Sequence, residues 1–147
     1  MDYNAKGIID LSIDTVKLML VTSGYTPDPA HDVLADVTAS PSPEVAEVAS
    51  PDNGYDAGGK ALTGQSVTLV DSPAVETFDA DDVVWPNLTA TFRFGILYVE
   101  KTILSPAIVN PLIGYITFDT EPADIIISGV NYTVQWNPNG IVTWAKL

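Results

Sequence analysis

The chain has 147 residues, enough for one ordinary domain, and its 46% apolar and 17% charged composition excludes an intrinsically disordered chain. Six Lys and Arg face nineteen Asp and Glu, and a formal charge of −13 repels phosphate backbones, which excludes nucleic-acid binding through a basic groove. The absence of cysteine excludes disulfides, thiolate metal sites and thiol nucleophiles, and suits synthesis in a reducing cytoplasm.

The N-terminal stretch "MDYNAKGIIDL" lacks the basic start and apolar run of a secretory signal, and no segment approaches the roughly 20 apolar residues of a membrane span. No membrane partner is expected. Tyr3, Ile8, Ile9 and Leu11 precede the first strand, expected at 15–23 (TVKLMLVTS). Two readings stand. Residues 1–10 form an arm that adds β pairing to a neighbouring subunit, with Tyr3, Ile8 and Ile9 at the interface, or Ile8, Ile9 and Leu11 begin the core.

"VTSGYTPDPAHDVLADV" (21–37) holds the only histidine, His31, with Asp28, Asp32 and Asp36 around it. The spacing predicts a short helix near 29–36: Asp28 caps it, Pro29 takes the first helical position, and Val33, Leu34 and Val37 recur at helical spacing. Carboxylates there meet the positive end of the helix dipole, which accounts for the acids without a metal. One imidazole falls short of a zinc ligand set, and no G-x-S-x-G element exists, so His31 is read as non-catalytic. No enzyme activity, metal or cofactor is expected.

Residues 38–59 (TASPSPEVAEVASPDNGYDAGG) are rich in Ser, Pro and Gly and form a long loop excursion. Pro41, Pro43 and Val45 make it the second candidate interface, because proline lowers the ordering cost of an extended contact. Ala46 and Val48, or Val45 and Ala49, are candidates for brief edge pairing. Gly54, Gly58, Gly59 and Lys60 have neither the spacing of a phosphate loop nor a following helix, so these glycines are turn residues.

Strands are expected at 60–70, with a bend or bulge at Gly64, then near 75–78 and at 82–85. Asp79, Asp81 and Asp82 lack the glycine and terminal glutamate of an EF-hand and read as a solvated turn. In "TATFRFGILYVEK" (89–101) Phe92, Phe94, Ile96 and Tyr98 alternate with Arg93, Gly95, Leu97 and Val99, as in a central strand buried on both faces. "LIGYITFD" (112–119) repeats the pattern. "NYTVQW", "NPNG" and "IVTWAKL" predict a terminal hairpin, with Gly140 in the left-handed conformation. Trp85, Trp136 and Trp144 allow a carbohydrate platform, but strand periodicity favours packing.

The sum is all-β: a single domain over 1–147, an antiparallel β-sandwich (Ig-like or jelly-roll-like) of about seven to nine strands with one short helix near 29–36.

The order of "DTVKLMLVTSGYTPD", "YDAGGKALTG", "DADDVVWPN", "PLIGYITFD" and "YTVQWNPNGIVTW" resembles a family of small tailed-bacteriophage virion structural proteins, over residues 8–145. The resemblance implies a non-enzymatic role on the virion. Specifically, it implies a capsid decoration (cement) protein on the exterior of the assembled head, with the major capsid protein as partner and a homo-oligomer or symmetric array as its form. A tail, neck or baseplate component is the alternative. A carbohydrate-binding host-attachment module, resting only on the aromatics, is the second.

Overall fold

In "VKLMLV" every side chain except Lys17 is buried, which is what a strand covered on both faces requires. This is β1 (Val16–Val21) in a computed structural model that describes residues 8–39, 47–49, 53–71, 74–104, 107–118 and 123–145. Tyr3, Pro41, Pro43 and Val45 lie outside the described residues. β1 belongs to a four-stranded antiparallel sheet with β2 (Lys60–Ala61), β6 (Phe94–Val99) and β9 (Leu112–Thr117), in the order β2-β1-β6-β9.

The two-residue period of that sheet divides the interior in two. Val16, Leu18 and Leu20 of β1, with Leu97 and Val99 of β6, enter the main core. Met19 and Val21, with Ile96 and Tyr98, enter a second, smaller core on the opposite face. Facing the main core are Phe78 of β4 (Ala74–Asp79) and Val83, Trp85, Leu88, Ala90 and Phe92 of β5 (Val83–Phe92). β4 lies between β3 (Ser66–Asp71) and β11 (Val142–Ala145), β5 pairs with β10 (Ile125–Val134), and β7 (Thr102–Leu104) pairs with β8 (Ala107–Val109). Every pairing is antiparallel, and α1 (Leu34–Ala39) is the one helix among the described residues. The fold is all-β.

Among the described residues eleven strands stand where seven to nine were expected, because segments read as continuous are divided among sheets. Residues 60–70 change sheets at Gly64, whose φ is +61°: β2 pairs with β1, but β3 pairs with β4. Residues 82–85 and 89–92 form one strand, and the break falls at Arg93, where β6 begins in another sheet. Within β5 the buried positions change phase after Trp85. Asn87, at φ +50°, takes the extra step, and the β10 register shifts opposite it.

The terminal hairpin is a correction. The turn is present: Gly140 N–H donates to the Asn137 carbonyl (2.8 Å), Asn139 N–H donates to Asn137 Oδ1 (2.9 Å), and Gly140 has φ +99°. Its flanks do not pair with each other. β10 pairs with β5 while β11 pairs with β4, so the turn carries the chain between sheets. A Cβ on Gly140 would stand 2.3 Å from Thr77 Cγ2, so β4 closes off the space beside the turn.

The helix is the second correction, lying at Leu34–Ala39 and not near 29–36. Asp32 and Val33 are extended because they pair with residues 110–112: Leu112 N–H donates to Asp32 O (2.8 Å) and Leu34 N–H to Asn110 O (2.9 Å). The cap follows the helix. Asp36 Oδ2 accepts from the N–H groups of Asp32 and Val33 at 3.0 and 3.1 Å, the returning half of a capping box. Asp28 instead closes a turn, taking Ala30 N–H on Oδ1 (2.8 Å) and His31 N–H on its carbonyl (3.0 Å).

At the N-terminus, Ile9 and Leu11 are in the main core and Ile8 packs against it. Gln65 Nε2 donates to the Leu11 carbonyl (2.7 Å), and Lys101 Nζ donates to the Ile8 carbonyl (2.8 Å) and pairs with Asp14. Ile8 and Ile9 therefore begin the core, as the alternative reading had it.

Candidate functional site

The segment over the second core is irregular and pinned by Tyr25. Its ring is 4% exposed and meets Phe94 edge-on. Its hydroxyl lies 3.1 Å from His31 Nδ1 and beside the Asp28 backbone N–H, and burial raises its pKa. The His31 ring lies against the Tyr25 ring, centroids 5.7 Å apart. His31 thus holds the 25–31 turn in place, in keeping with a structural role.

Where this cover meets β6 and β9 it leaves a cavity of about 390 Å³. Ile96 and Leu112, both buried, form its deep end; Pro27, Asp28, His31 and Tyr115 line the rest. Tyr115 is 56% exposed and meets Phe94 edge-on, so its ring stands at the mouth.

Residues 47–49 and 53–59 close the free edge of β1. Val48 N–H donates to the Leu20 carbonyl (3.0 Å), and Glu47 bridges to Val21, the brief edge pairing expected for Val48. The Tyr55 hydroxyl accepts from Leu20 N–H (3.2 Å) and donates to Glu47 Oε1 (3.0 Å); Tyr98 donates to the Gly58 carbonyl (2.7 Å). Burial, then the Glu47 charge, raises Tyr55 strongly. Burial, then Glu100 and Glu47, pushes Tyr98 up to about 12. The network is structural: it fastens a loop. Gly58 and Gly59 are turn residues at φ +82° and +75°, and Lys60 donates to the Val84 carbonyl, so no phosphate cradle forms there.

The aspartates of 79–82 also lace the fold. Asp81 Oδ2 accepts from Thr63 Oγ1 (3.1 Å), Asp82 Oδ1 from Trp136 N–H (2.9 Å), and the Asp81 carbonyl from Trp136 Nε1 (3.0 Å). Among the described residues no three His, Asp or Glu are grouped so as to hold a metal. Trp85 is in the main core, and the partly buried Trp136 and Trp144 pack against it.

Sequence reasoning missed the open apolar surfaces. Leu104 is 86% exposed on β7, and Val109 is exposed on β8. Ile126, 76% exposed, and Val130 lie on β10, which among the described residues pairs on one side only. A signal was available: residues 102–110 and 125–134 carry no charge in a chain of formal charge −13.

No family model, no curated protein and no solved structure matches the chain.

Proposed function

We propose that the chain is a structural protein of a tailed-phage virion that binds the outer face of the assembled head and bridges neighbouring capsomers. Its partner is then the major capsid protein, and its action is binding, multiplied by the symmetry of the shell. The observation that carries this reading is the pair of uncharged β surfaces that have no strand partner among the described residues. An open edge strand that bears Ile126 and Val130, and a hairpin face that bears Leu104 and Val109, suit attachment by backbone pairing and apolar contact. The resemblance in block order supports the virion assignment.

Cryo-electron microscopy of particles carrying the protein tests it. Density on the head exterior, lost when Ile126 and Leu104 are both replaced by Lys, is the expected result. Density at the tail, neck or baseplate would select that alternative, and absence from particles would end the virion reading.

A further inference from the structure

We infer that the cavity between the 25–31 turn and β9 is a socket for one arginine side chain of a protein partner. The inference deepens the binding role proposed above by naming the chemistry of a contact. Its volume of about 390 Å³ is within the range of sites that enclose a small group. Its walls match arginine from end to end. Ile96 and Leu112 at the deep end and Pro27 at the side offer apolar surface to the aliphatic stem. The exposed Tyr115 ring offers a face on which a guanidinium stacks.

Charge settles which kind of side chain fits. Asp28 lines the cavity, and only its Oδ1 is used, by Ala30 N–H; Oδ2 has no partner among the described residues. Asp32 and Asp36 follow on the same turn and helix start. Among the described residues every cation is engaged elsewhere: Lys17 with Glu100, Arg93 with Asp124, Lys101 with Asp14, and Lys60 with the Val84 carbonyl. Among the described residues no Lys or Arg lines the cavity, so the exposed Asp28 carboxylate has no such partner there. A guanidinium, planar and rich in N–H donors, suits both an aromatic face and the open Oδ2; an ammonium meets them as a point charge.

The test uses the intact chain in solution, with N-acetyl-arginine amide as probe and its neutral isostere, N-acetyl-citrulline amide, as control. His31 is the only histidine, so its imidazole signal reports the cavity without ambiguity in NMR. The arginine probe is expected to shift that signal saturably, and citrulline at least tenfold more weakly. Asp28→Asn, which retains the oxygen that accepts from Ala30 N–H, is expected to weaken binding about tenfold. Tyr115→Ala, at an exposed position, is expected to weaken it with the fold unchanged. Equal binding of arginine and citrulline, or no shift with either, overturns the inference; equal binding of N-acetyl-lysine amide overturns the guanidinium assignment. Particle occupancy is measured separately, so a protein that decorates heads but ignores the probe refutes only the socket. One that binds the probe but is absent from particles refutes only the virion reading.

Discussion

The two faces of the central sheet receive alternate side chains of the same strands, yet they are covered differently. Over one face, strands of three further sheets and the 8–11 segment enclose eighteen buried residues. Over the other, a pinned turn and a six-residue helix enclose seven. Regular cover repeats the period of what it covers, which favours interdigitation, and the space it leaves between Leu97 and Ile116 of the sheet and Trp136 and Ile141 is about 240 Å³. Irregular cover matches it only where Tyr25 and Val37 reach down, and the cavity beside Ile96 and Leu112 is the remainder.

The sharpest way to break that comparison is to empty each core in turn. Phe92→Ala removes a fully buried ring that meets Phe118 and Tyr132 edge-on, and is expected to cost about 3–5 kcal/mol. Val37→Ala, equally buried but under the irregular cover, is expected to cost about 2 kcal/mol, because that cover can settle into the space. Urea denaturation measures both. An equal loss from the smaller Val37 truncation would mean that the second core is packed more closely than the first.

Gly59→Ala asks the same question at the edge of β1. A Cβ there would lie 2.1 Å from the Leu18 carbonyl oxygen, on a backbone at φ +75°. Neither can relax without displacing β1 or β2, so a loss of about 2–4 kcal/mol is expected. A loss below about 1 kcal/mol would show that the 47–59 cover lifts freely from the sheet.

Strands were legible in the sequence wherever apolar residues alternate, and β1, β4, β6 and β9 lie where that pattern put them. Sheet membership was not legible. Alternation describes which way side chains point, and it continues unchanged through Arg93, where Phe92 enters one core and Phe94 packs on the other. The NPNG turn shows the same limit: local geometry was specified by Asn137 and Gly140, but its strands answer to β5 and β4. Likewise Asp28 and Pro29 are sound helix-start chemistry, overridden because residues 32–34 bond to 110–112. The cavity joins residues 25–31 to Ile96, Leu112 and Tyr115, and no local pattern reports so distant a meeting.

Alkaline titration separates the covers through their tyrosines. Tyr98, pushed up to about 12, stays protonated in the folded chain while an ordinary tyrosine ionises near 10.0. The unfolded chain thus gives up its proton first, and stability present below pH about 10 is lost as pH rises toward about 12. Tyr55 acts in the same direction. Tyr98→Phe is expected to cost about 1 kcal/mol at neutral pH, for the bond to the Gly58 carbonyl, and to reduce the alkaline loss. Denaturation curves at stepped pH, with tyrosinate absorbance followed in parallel, check both. An unchanged alkaline slope in the variant would place the titration elsewhere.

The smallest expected effect lies where the second cover ends. Lys17 alternates onto the same face as Met19 and Val21, yet it is a lysine, because at that end of β1 the turn and helix no longer reach. Its ammonium pairs with Glu100 at 2.9 Å, with the two side chains 19% and 52% exposed. Water screens such a pair, and holding both long side chains costs entropy, so Lys17→Ala should lose less than about 1 kcal/mol. That loss should shrink further in high salt. A larger, salt-independent loss would mean that the Lys17 stem is packed like a core residue, and that the second face is covered to its end.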